Sequence, residues 1–151
     1  MNPRWSMLGA ISCMILVLAG CSTGELDYNF RAEDGVGEWS AVAHESALIE
    51  LRGDGSFRAF NLPSTLCEAD WPREVSQLDW VDVRSFDGDW VLFDDGPYAG
   101  FLNSASQDCQ NIPVYFEQSG QGERSMVVYL VPEEDAPDQS ILRFAKDPGV
   151  G

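Results

Sequence analysis

His44 is the single histidine of the chain, whereas carboxylates to work beside it are abundant: 25 aspartates and glutamates in 151 residues. A serine hydrolase needs a base held against a serine and an acid behind that base. His44 would have to be the base, and no Gly-x-Ser-x-Gly elbow supplies the nucleophile. His44-Glu45 falls where the apolar pattern breaks between two strands, so the pair reads as a turn. Glycoside hydrolysis needs two carboxyl groups flanking one bond, and Asp79 with Asp82, Asp87 with Asp89, and Asp94 with Asp95 are close in sequence. At this density of acids such pairs arise by chance, and solvated turns are their ordinary place. Asp87, Asp89, Asp94 and Asp95 would bring hard oxygen ligands to calcium if one hairpin gathered them. The Asp-x-Asp-x-Asp-Gly run and its twelfth-position glutamate are missing. The expectation is a protein that is not an enzyme and that carries no metal and no cofactor.

The stretch MILVLAGCSTG, residues 14–24, ends an apolar run on small residues and a cysteine and then turns polar. The run from Met7 to Ala19 is too short for a bilayer core, which takes about 20 apolar residues at about 1.5 Å each. Arg4 before it and small residues after it have the layout of an export signal. Leu18-Ala19-Gly20-Cys21 resembles the lipobox of bacterial lipoprotein precursors. That resemblance implies a diacylglyceryl group (palmitate-like chains) on the Cys21 thiol, cleavage before Cys21, and a body held at the outer side of the cell membrane. One fatty chain anchors marginally, so two or three are needed for durable attachment.

With residues 1–20 removed, 131 residues remain, enough for one compact domain. All 25 acids stay and Arg4 goes, leaving eight basic residues and a net charge of −17. Such a charge repels phosphate, so nucleic acid is excluded as a partner and the body is expected to stand off anionic headgroups. Given the lipobox, Cys13 leaves with the signal and Cys21 carries lipid, so Cys67 and Cys109 remain in an oxidising setting and are expected to form a disulfide.

Residues 21–35 have no sustained period and read as a lipidated flexible tether, followed by a domain over 36–147 and a tail at 148–151. From Val36 the chain consists of short apolar runs punctuated by turns. GEWSAVA places Trp39, Ala41 and Ala43 on one face, and ALIELR does the same for Ile49 and Leu51. Arg52-Gly53-Asp54-Gly55-Ser56 is a hairpin signal, after which Phe57 and Ala59 return inward. Asn61-Leu62-Pro63 is expected to stop that strand, and a long loop over 63–75 carries Cys67 and Trp71. A second hairpin is expected from QLDWVDV, turning at Phe86-Asp87-Gly88-Asp89 into WVLFD. YAGFLNS, IPVYFEQ, SMVVYLV and SILRF follow, with a turn at Ser119–Gly122 and an acidic loop from Pro132 to Pro137. The fold expected is all-β: an antiparallel meander of about eight strands forming a small barrel or curled sheet.

Gly37-Glu38-Trp39 is similar to the Gly-x-Trp that opens lipocalins, and the resemblance implies a lipocalin- or calycin-like barrel. Gly37-x-Trp39, Ile49-Glu50-Leu51-x-x-Asp54-Gly55-x-Phe57 and Leu62-Pro63 near Cys67 together resemble small actinobacterial lipoproteins. This implies a fold and an envelope address and supplies no active residues. Trp71, Trp80 and Trp90 are the candidate ligand-binding residues, since a barrel of this size can hold one small apolar molecule in its mouth. The function expected is a membrane-anchored binding module for a small apolar or envelope-derived ligand. The alternatives are an acidic module that binds or inhibits a cationic secreted protein, or a structural envelope protein.

Overall fold

A computed structural model of the chain describes residues 24–148. The lipidation expected at Cys21 and the cleavage expected before it fall outside the described residues. Among the described residues no helix is long and apolar enough to cross a membrane.

Nine strands carry the fold: β1 (Glu25–Leu26), β2 (Gly37–Ala41), β3 (Leu48–Leu51), β4 (Ser56–Pro63), β5 (Val83–Phe93), β6 (Gly96–Ser104), β7 (Ile112–Gln118), β8 (Arg124–Tyr129) and β9 (Ile141–Lys146). β2 to β9 pair in chain order, each antiparallel to the next, and β9 pairs back onto β2. This is a closed eight-stranded antiparallel meander, the small barrel the strand pattern anticipates. Closure leaves no exposed sheet edge within the ring. Alternation sends Trp39, Ile49, Phe57, Leu102, Phe116 and Phe144 inward, all 1% exposed or less.

Three expectations are corrected. Residues 24–35 are not a tether. β1 pairs with β7 at Glu25↔Gln118 and Leu26↔Glu117, Phe30 is 1% exposed, and a one-turn helix (Ala32–Gly35) follows. Phe30 stacks on the inward-facing Phe116 at 3.8 Å between centroids, so this segment closes the barrel end where β2 begins. A short acidic stretch thus folds because one aromatic finds the open end of a core.

The Asp-Gly at 87–88 is not a turn either: β5 runs straight through it. Gly88 is needed for a close approach, since a Cβ there would lie 2.0 Å from the backbone oxygen of Asn103 on β6. The reversal comes instead at Asp94-Asp95. QLDWVDV contributes only Val83 to a strand. The Asp79 carboxylate accepts the backbone N–H groups of Val81 at 2.9 Å and Asp82 at 3.3 Å, which holds this stretch as a turn.

Asn61 does not end β4. With φ at 53° it forms an irregularity, after which Leu62 and Pro63 still pair with Arg84 and Val83.

Candidate functional site

The barrel has two ends. At the strap end, Phe30 and the buried Gly35 cover the core, and a Cβ on Gly35 would meet the Trp90 ring at 3.2 Å. Trp39 Nε1 donates to the Gly35 carbonyl at 2.8 Å, tying helix to barrel. The bridge end is covered by the 3-10 turns Ser64–Cys67, Val75–Gln77 and Asp138–Ser140, with Leu66, Leu78 and Leu130 buried beneath. Cys67 and Cys109 are joined there by a disulfide that fastens this covering to the β6–β7 loop.

The three candidate tryptophans do not share a site. Trp90 is buried at the strap end, where its Nε1 donates to the Arg52 carbonyl at 2.9 Å and so braces the β3–β4 turn. Trp71 and Trp80 are half-buried at the bridge end and pack against the core. Trp71 Nε1 donates to the Leu66 carbonyl at 3.1 Å. Trp80 stacks on His44 with ring centroids 4.9 Å apart, and His44 Nδ1 lies 2.8 Å from the hydroxyl of Ser46 on the same exposed turn. Among the described residues, no group of three or more His, Cys, Asp or Glu side chains converges to hold a metal ion.

Two buried carboxylates anchor the N-terminal strap. Asp27, with a side chain 1% exposed, accepts from Arg124 Nε at 2.8 Å, and Arg124 Nη1 reaches Asp34 Oδ1 at 2.9 Å. The hydrogen bond to Asp27 raises the Arg124 pKa further, so the guanidinium is a permanent cation. Glu117 lies on the outer side of β7 under Gly24, yet is only 3% exposed. Tyr129 donates to its Oε1 at 2.7 Å, and Arg143 donates to its Oε2. Burial, and then the bond to Glu117, push the Tyr129 hydroxyl well above the usual tyrosine range. With both oxygens committed, Glu117 serves the structure.

The outer wall divides into two kinds. Across β2 to β5 one row reads Glu38, Glu50, Arg58, Asp87 in register, which is the polar exterior that alternation predicts. Leu48 and Phe60 face each other one row on. Across β5 to β8 the exterior is apolar and aromatic. Val91, Phe101 and Pro113 align in register; Phe93 meets Phe101 edge-on at 5.3 Å; Tyr115 meets Tyr129 edge-on at 4.9 Å. Val91 is 45% and Phe93 39% exposed. Val127, also on the outer face, is fully buried with Tyr115 and Arg143 opposite it in register.

Acids frame this wall: Asp89 on β5, Asp94 and Asp95 at the β5–β6 turn, and Glu133 and Glu134 in the β8–β9 loop, all exposed. Burial first, and then the charge of Glu133, raises the Tyr115 pKa, so the acidic loop lies within electrostatic reach of the ring. The sequence reading missed this wall, although a signal was present. WVLF, IPVYF and MVVYL are unbroken apolar runs, and on an antiparallel sheet such runs mean that both faces are apolar.

These features define an acidic, closed antiparallel barrel whose interior is filled with its own side chains and whose outer surface carries a framed aromatic face. Compared with protein-family models, curated proteins and solved structures, the chain matches none.

Proposed function

We propose that this chain is a lipid-anchored, extracytoplasmic binding module without catalytic activity, and that its partner is a cationic protein engaged from outside the barrel. The observation that carries this reading is the filled interior: Trp39, Phe116, Met126 and Phe144 are fully buried in the barrel core, and Phe30 and Leu66 are buried at its two ends. A small apolar ligand in the barrel mouth, the other reading the fold admits, would have to displace those side chains. The charge of −17 on the processed chain favours a positively charged partner and speeds its encounter.

The anchor in this reading is Cys21, with the lipobox resemblance as its support. Gly24, the first described residue, lies three residues after Cys21, and three residues of chain reach at most about 11 Å, so in this reading the lipid holds the body near the membrane surface.

The test is mass spectrometry of the protein isolated from its native membrane, at low and at high salt. The reading expects acyl chains on a terminal Cys21, and a basic polypeptide that copurifies at low salt and is released at high salt. An unacylated amino terminus overturns the anchoring. A tightly retained apolar small molecule, with no salt-sensitive polypeptide, overturns the choice of partner.

A further inference from the structure

The aromatic wall on β5 to β8 departs from what a closed barrel requires. An inward-facing set closes the core; the outward set need only be soluble. Here the outward set includes Val91, Phe93, Phe101, Pro113, Tyr115 and Tyr129, contiguous across four strands and only partly covered. A contiguous exposed apolar patch rimmed by polar residues is a mark of an interaction surface. The rim says what kind. Acids stand beside the wall on three sides, on β5, at the β5–β6 turn and in the β8–β9 loop, while the cation in register with the wall, Arg143, is committed to Glu117.

We infer that this wall is the docking face for a cationic polypeptide segment whose arginine or lysine side chains lie on Phe93, Phe101 and Tyr115 and whose charges meet Asp94, Asp95, Glu133 and Glu134. The inference rests on the proposal that the partner is a cationic protein, and it adds the surface and the chemistry of contact. Aromatic faces attract guanidinium and ammonium groups through the ring quadrupole, with Arg favoured over Lys. The acidic frame supplies long-range attraction, and the rings supply the desolvated contact on which affinity depends. A lipid surface fits the apolar area but not the frame, because five exposed carboxylates around the patch would be pressed against headgroup phosphates.

The experiment uses the whole chain in detergent micelles and two synthetic peptides, one alternating arginine with phenylalanine and one alternating glutamate with phenylalanine. Wild type is compared with a wall variant (Val91→Ser with Phe93→Ser) and a frame variant (Asp94→Asn with Asp95→Asn). Circular dichroism and thermal melting establish that both variants fold. The arginine peptide is expected to bind wild type and the glutamate peptide not. The wall variant should weaken binding at least about tenfold, as loss of a buried aromatic anchor does. The frame variant should weaken it several-fold at low salt and reduce its salt dependence.

If both variants bind the arginine peptide as wild type does, the face is wrong while the cationic-partner reading stands. If wild type fails to bind it at low salt, both fall. Vesicles of phosphatidylcholine and of phosphatidylglycerol form a further arm: vesicle binding by the whole chain that the wall variant abolishes, with peptide binding unchanged, assigns the wall to lipid and overturns the inference.

Discussion

Arg124→Ala tests whether charge fastens the N-terminal strap. Arg124 Nε lies 2.8 Å from Asp27 Oδ2 and its Nη1 2.9 Å from Asp34 Oδ1, with the Asp27 side chain 1% exposed and Arg124 31% exposed. Removing the guanidinium leaves Asp27 buried with one neutral donor, the backbone N–H of Asn29 at 3.1 Å. Breaking a fully buried pair costs about 3–5 kcal/mol and an exposed one about 0–1, so a pair with one buried and one part-exposed partner should cost about 2–3 kcal/mol. At roughly 4 °C per kcal/mol for a domain of this size, the melting temperature should fall by about 8–12 °C. Urea unfolding measures the loss, and hydrogen exchange localises it: amides of residues 25–35 should lose protection before those of β2 to β4. Adding Asp27→Asn to the Arg124→Ala background removes the stranded charge and should restore part of the stability, a coupling that the double-mutant cycle isolates. A loss below about 1 kcal/mol with no rescue would refute the latch and leave Phe30 as the fastening.

Replacing Cys67 and Cys109 together by serine removes a bridge closing a loop of residues 67–109. The chain-entropy model values such a loop at roughly 4 kcal/mol, so the urea midpoint should fall and exchange should rise over 64–80; a midpoint indifferent to reductant would contradict this. Tyr129 keeps its proton in the fold, whereas the unfolded chain releases it near about pH 10. Its contribution is therefore complete below that pH and declines as pH rises. Tyr129→Phe should flatten the alkaline fall in urea midpoint, and equal slopes for the two proteins would show that another group is responsible. Gly88→Ala drives a Cβ to 2.0 Å from the Asn103 carbonyl oxygen and should cost at least about 1–3 kcal/mol by overpacking against backbone that cannot move aside. Gly120→Ala meets nothing within 4 Å and should stay within about 0.5 kcal/mol, so similar melting temperatures for the two variants would undo that reading of β5 and β6.

The barrel was legible because its strands are short, apolar on at least one face and separated by turn residues, and because a meander of hairpins has few ways to hide its edges. Trp39, Ile49, Leu51, Phe57 and Ala59 fell on the inner face as period-two reading placed them, whereas Ala43, read inward with Trp39 and Ala41, lies past the end of β2 and is exposed. What misled was local turn chemistry judged without its neighbours. Asp-Gly looks the same whether glycine supplies positive φ, as Gly55 does at 85°, or makes room for a neighbouring strand, as Gly88 does. Only the position of Asn103, fifteen residues after Gly88, separates the two. The strap was opaque for a similar reason: Phe30 has no periodic companions, and its burial depends on a cavity end built from β2, β7 and the helix.

The aromatic wall was harder to see, since its members are spread over four strands and each could be assigned to the core on its own. Their arrangement is what matters, and the barrel contains its own comparison. On β2 to β5 the equivalent outer row is Glu38, Glu50, Arg58 and Asp87, and the inward residues of those strands belong to the same core cluster as the rest. Closure therefore does not account for Val91, Phe93 and Phe101 on the outside. Exposed apolar area opposes solubility at about 25 cal/mol per Å², and the acids that frame the wall offset that cost without covering it. A face that the core does not need and that water disfavours is the face that the proposed docking of a cationic segment would cover, with the acidic frame meeting its charge.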